Sequence, residues 1–195
     1  MKKPIFTFLL MATAVLGFAQ KGTIGDYERE LLLNNWSYAT TQLKSTLEGI
    51  TDAEWTQKPT DGGWSAAECM EHIVISMPRQ VSQLKMTLDG TADNSKNLIA
   101  NDGYVLMKIL DRGKKFKTPL PPEMGNLSPE SMLKTYNETG QEFLKILMDE
   151  KAQFRNHFGK APFGEVDAYQ LMILIPGHVL RHLNQIEEIL GDIRA

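Results

Sequence analysis

The chain has a single cysteine, Cys69, among its 195 residues. That excludes an internal disulfide, and its position excludes lipid attachment to a cysteine just behind an N-terminal apolar run. Basic charge is also short: 21 lysines and arginines stand against 24 aspartates and glutamates, a net charge of −3. This sign argues against nucleic acid as a partner. Beyond residue 19 no apolar stretch reaches the roughly 20 residues that cross a bilayer core, so no stable membrane span is expected. Convincing strand alternation, internal repeats and low-complexity stretches are missing too. Helices are left to make the fold.

The chain opens on a targeting pattern. Lys2 and Lys3 precede an apolar run from Ile5 to Ala19, which ends in the small residues Gly17 and Ala19; this is the layout of a secretory signal peptide. We expect residues 1–19 to be that signal and residues 20–195 to form one helical domain. With 42% hydrophobic residues, the chain is long enough to bury a sizeable core. Cleavage after Ala19 would export the protein, to the periplasm or the medium, and would remove two lysines, leaving a net charge of about −5.

Four long helical patterns organise the rest. The first runs from about Asp26 to Glu48, with Tyr27, Leu31, Leu43 and Leu47 at helical spacing. Thr51-Asp52-Ala53-Glu54 spells a capping box that starts a short turn before the loop of Pro59, Gly62 and Gly63. Ser65-Ala66-Ala67-Glu68 is a second capping box and leads into Met70, Val74, Met77, Val81, Leu84 and Leu88. Residues 90–127 turn polar and proline-rich, with one short helix expected near Tyr104 to Asp111 and an extended segment from Lys117 to Pro122. Ser128-Pro129 starts a third long helix that should run to about Lys151. The last spans about Glu165 to Leu190 and turns Met172, Val179, Leu183, Ile186 and Leu190 to the core. Pro176 breaks its hydrogen-bond ladder, so a kink is expected there.

The four histidines carry the chemistry. His178 and His182 are four apart in the last helix and so project from nearly one face. Projected at about 100° per residue, His72 falls opposite the Met70/Val74/Leu84 stripe. It is therefore either exposed or part of a groove wall. If its helix lies beside the last one, three neutral nitrogens converge, the ligand set of a zinc-type site that keeps a position open for water. Gln185, one turn beyond His182, could serve as a hydrogen-bond partner behind the ligands, whereas Arg181 projects to a different face. His157 reads as a loop residue and is left out of the metal set. Cys69 reads as a small buried hydrophobe and Glu68 as the capping partner of Ser65. The ten methionines and three tryptophans read as core filling.

Two segments resemble a known family. Gly63-Trp64-Ser65-Ala66-Ala67-Glu68-Cys69-Met70-Glu71-His72 is similar to the W-S-x-x-E-x-x-x-H signature of DinB-like (YfiT-type) proteins. His178-Val179-Leu180-Arg181-His182-Leu183-Asn184-Gln185-Ile186 is similar to their H-x-x-x-H-x-x-Q-I ending. The resemblance implies an all-α four-helix bundle with a divalent metal, zinc or nickel, on His72, His178 and His182. Family members include thiol-dependent transferases and isomerases, and proteins described only as metal-dependent hydrolases. The expected function is a metal-dependent hydrolase that activates water on a three-histidine site and acts on a small molecule. The alternatives are a metal-dependent thiol transferase and a bundle that binds metal or ligand without turnover. Thiol-using relatives work inside the cell, which sets them apart from an exported chain. Whether two copies form a homodimer is left open.

Overall fold

The computed structural model describes residues 22–113 and 128–195. The expected signal peptide and the expected extended segment from Lys117 to Pro122 lie outside the described residues.

The first helix, α1 (Asp26–Glu48), begins where Gly25 N–H donates to Glu28 Oε2 at 2.8 Å, an acidic partner that suits the positive helix end. Its inward face agrees with the expected one at Leu43 and Leu47, which packs on the core, but is one residue out of phase in the first half of the helix. Leu32, Trp36, Ala39 and Leu43 are buried, while Tyr27 and Leu31 are exposed. A short helix, α2 (Asp52–Thr56), starts at the Thr51/Glu54 box, and α3 (Ala66–Leu88) starts at the Ser65/Glu68 box, as their sequences require. In α3, Met70, Val74, Met77, Val81 and Leu84 are all buried. Each such side chain contributes about 1.5–3 kcal/mol relative to exposure.

A single 3₁₀ turn, Ile99–Asn101, runs directly into α4 (Asp102–Leu110). Ser128 caps α5 (Pro129–Leu147), which ends four residues before the expected Lys151. Two short strands follow, β1 (Phe158–Ala161) and β2 (Gly164–Asp167), paired antiparallel with Phe158 opposite Asp167 and Ala161 opposite Gly164. Gly164 has φ +137°, a backbone setting that glycine adopts without the penalty of a Cβ. The hairpin takes Glu165 out of the last helix, so α6 spans Ala168–Ile193. Its true start is a capping box: Asp167 Oδ1 accepts from Gln170 N–H at 2.7 Å, and Gln170 Oε1 accepts from Asp167 N–H at 3.1 Å. The helix continues past Pro176.

The four long helices make the expected bundle. α6 packs against α1, α3 and α4, and α3 packs also against α5. Two close approaches depend on glycine. Trp36 stacks on Tyr136 at 5.3 Å and meets Phe143 at 5.1 Å, and a Cβ on Gly140 would fall 2.4 Å from its ring. A Cβ on Gly177 would fall 2.6 Å from Ile109, so α4 can lie on α6 only because that position is bare. Buried Arg155 ties the ends of the elements together. It donates to Glu28 of α1, to Asp102 of α4 at 2.7 Å and to Asp167, the cap of α6, at 3.0 Å. Its guanidinium also lies 3.7 Å from the centre of the Tyr169 ring. Burial alone would lower the Arg155 pKa, but the surrounding carboxylates outweigh it and raise the value.

Candidate metal centre

The antiparallel run of α3 and α6 brings His72 level with the i, i+4 pair. His178 Nε2 lies 3.3 Å from His72 Nε2 and 3.1 Å from His182 Nε2. Each of the three rings thus offers its Nε2 to one small volume, and the three are the group among the described residues with the donors to hold a metal ion. His72 and His182 are 4% and 7% exposed, and all three line one cavity of about 760 Å³. His72 therefore belongs to a groove wall, the second of the two options its projection allows.

Burial and neighbouring charge favour neutral rings at His178 and His182. Burial pushes the His178 pKa down to about 3, with His72 and Arg181 adding to the effect. Burial also holds His182 well below its usual value, helped by His178 and His72, while its bond to Gln185 acts the other way. That bond, His182 Nδ1 to Gln185 Oε1 at 3.0 Å, puts the ring proton on Nδ1 and leaves Nε2 a lone pair. Arg112 donates to the same Gln185 oxygen at 3.3 Å and pairs with Glu188 at 2.8 Å, so the amide's orientation is itself held. Lone pairs facing one another at these distances repel unless a proton or a cation lies between them, so the donor set fits a borderline divalent cation that prefers imidazole nitrogen.

The other sequence candidates fall into place. Glu68 is the helix cap: Oε2 accepts from Ser65 N–H at 2.7 Å and Oε1 pairs with Lys58 at 3.0 Å, so both oxygens have partners. Cys69 is fully buried beside Ile186 and Ile189, and burial raises its thiol pKa. His157 sits ahead of β1, where its carbonyl accepts from Ala168 N–H at 2.9 Å, and it is outside the three-ring group.

Two readings need correction. Trp64 is not simple core filling: its ring lies 5.1 Å from His72 and 6.0 Å from His182, and it lines the cavity. Arg181 does not leave the site. It is buried, lines the same cavity and donates to the carbonyls of Ile109, at 3.2 Å, and Asp111. Sequence reasoning also missed the polar stripe Ser76, Arg79, Gln80 and Gln83, which follows His72 at helical spacing on the cavity face of α3. Counting four, seven, eight and eleven positions on from His72 would have found it.

A helical bundle with a three-imidazole group between two of its helices is the class of protein this geometry defines. The chain belongs to the DinB superfamily, whose profile matches residues 35–186. Its structure is similar to that of YfiT from Bacillus subtilis, with a TM-score of 0.59 over 90% of this chain and 93% of that one, at 16% identity. YfiT is described as a probable metal-dependent hydrolase with an unusual four-helix bundle topology. At that identity the likeness shows the fold alone. No curated protein matches the chain.

Proposed function

We propose that the chain is an exported, divalent-metal-dependent hydrolase that holds zinc or nickel on His72, His178 and His182 and takes a small molecule from the cavity. The observation that carries this reading is the mutual approach of three imidazole nitrogens, at 3.3 and 3.1 Å, on the wall of a cavity of about 760 Å³. Membership of the DinB superfamily and the description given to YfiT support the reaction class. When bound, such an ion supplies a Lewis acid that polarises a carbonyl and brings the pKa of water from 15.7 down to about 7.

The protein's own groups have definable tasks. Gln185 fixes the tautomer of His182, and Arg112 fixes Gln185. The Trp64 ring packs beside His72 and His182 at the cavity wall. Cys69, buried and hard to ionise, is not a nucleophile in this scheme. Export rests on Lys2, Lys3 and the apolar run to Ala19, which would leave Gln20 as the first residue.

Zinc and nickel titration of tag-free mature protein by calorimetry tests the site, and His182→Ala should abolish tight binding. Equal affinity in the parent and in all three single alanine variants would overturn it. Metal-loaded protein is then assayed on aryl esters and amides with and without added thiol. Turnover without thiol is expected; turnover that requires thiol would make the protein a transferase, and none on any substrate would favour a binding bundle. Mass spectrometry from the native host checks export, which intact Met1 in the cytosol would disprove.

A further inference from the structure

The polar stripe of α3 continues well past the metal centre. Seven residues separate His72 from Arg79, so the two lie on one face about 10 Å apart along the axis. Gln83, one turn further, donates to the Lys160 carbonyl at 2.6 Å and so seats the β1–β2 hairpin over this end of the cavity. Arg79 and Lys160 both line the cavity, and neither takes part in an ion pair of the described residues.

The other charges around the cavity are committed. Glu188 pairs with Arg112, and Asp192 accepts from Thr60 N–H and Oγ1 at 2.6 and 2.9 Å. Asp61 accepts from Gly63 N–H at 2.8 Å. Arg181 is held by main-chain carbonyls. The charged side chains with neither an ion pair nor a hydrogen bond among the described residues of the cavity wall are therefore both positive, Arg79 and Lys160, and both at the hairpin end. Gln80 adds a buried Oε1 with no hydrogen-bond donor in the same stripe. Ile109, Phe163, Leu171 and Leu174 give the cavity an apolar part of its wall beside this polar stripe.

We infer that the substrate is an extended organic acid: a reacting group at the three histidines, an apolar body, and a carboxylate some 10 Å away bound by Arg79 and Lys160. The inference rests on the metal reading above and adds the substrate's chemical class to it. The guanidinium of Arg79 offers paired N–H donors that match a carboxylate, and Lys160 adds a point charge. Gln80 Oε1 can accept an N–H or O–H carried on the substrate's body. Arg79 and Lys160 are exposed at the cavity mouth, so each contributes less than a buried pair would.

The test uses mature protein and hydroxamates, which chelate divalent ions. Zinc is titrated first and reads the metal centre alone. Zinc-loaded protein is then titrated with suberic acid monohydroxamate and with its methyl ester, which differ in the distal charge. The acid should bind about five- to tenfold tighter than the ester. Arg79→Gln should remove most of that advantage and Lys160→Gln part of it, with the ester's affinity unchanged in both. The shorter succinic pair, which cannot span the two ends, should show little difference between acid and ester.

Equal binding of the suberic acid and ester, an advantage untouched by either substitution, or an equal advantage for the succinic pair would each overturn the inference while leaving the metal reading in place. A protein that takes up no zinc fails the metal reading instead. The suberic pair titrated without zinc, on the parent and Arg79→Gln, then decides the anion site on the same criteria.

Discussion

His182 Nδ1 lies 3.0 Å from Gln185 Oε1, one turn further along the same helix, so the residue that orients the ring is set by the helix that carries it. Such partners commonly change metal affinity by 10–100-fold. Gln185→Leu should therefore weaken zinc binding by about that factor while the far-ultraviolet circular dichroism stays unchanged. Gln185→Glu should tighten it, because a carboxylate makes the ring more basic. Calorimetry on the three proteins checks the order Glu, Gln, Leu.

The lowered pKa values of His178 and His182 give metal-free protein a defined pH dependence. Unfolded histidine takes up a proton near pH 6.5, whereas folded His178 does so only near pH 3. Between these values the unfolded state binds more protons, so stability is fully present above about pH 6.5 and is lost as pH falls toward 3. Urea midpoints at pH 7.5 and 5 should show this fall. In His178→Gln the fall should be shallower, and identical slopes would mean that the ring is not held neutral by its surroundings.

Arg155 serves three carboxylates from different parts of the fold, and cutting it away leaves buried Asp167 without its counter-charge. Removing one partner of a buried pair typically costs about 3–5 kcal/mol. Arg155→Met should lower the urea midpoint accordingly and loosen the hairpin and the start of α6 together. Hydrogen exchange at residues 158–171 would show whether they respond as one unit.

Gly140→Ala sets two effects against each other. Alanine gains up to about 1 kcal/mol in a helix interior, but its Cβ would lie 2.4 Å from Trp36, and overpacking of this kind costs about 1–3 kcal/mol. A net loss is expected. Chemical denaturation followed by tryptophan fluorescence measures it, and the emission of Trp36 should change in the folded state as the stack on Tyr136 shifts.

The helix starts were legible because each is written in a few adjacent residues. Ser65 with Glu68, Thr51 with Glu54, and Ser128 before Pro129 all cap in the structure as their spelling requires. The box of Asp167 and Gln170 carries the same signal but lay inside the span read as helix from Glu165, so the hairpin was missed. Its strands are four residues each, too short for alternation to show. In α1 the ends were right, and the face was right at Leu43 and Leu47 but not in the first half. Tyr27 and Leu31 have the spacing of a core stripe, yet the partners that decide burial for Leu32 and Trp36 are distant in sequence.

The three histidines were legible for a related reason. Two share a helix face, and the third sits on a helix whose start and stripe are clear, so only the packing of α3 on α6 had to be supplied. Arg155 stands in a loop where no periodicity marks it. Trp64 and Arg181 owe their roles to neighbours on other elements.

Pro176 and Gly177 precede the first of the paired histidines and have a joint effect on the turn that presents it. Proline offers no N–H to the Met172 carbonyl, and glycine brings no side chain of its own to brace the helix. What stiffens the turn comes from outside: Ile109 packed on the bare face of Gly177, and the grip of Arg181 on the carbonyls at the end of α4. The short helix α4 thus works as a splint for the histidine-bearing turn, and the precision of His178 is a property of two helices rather than one.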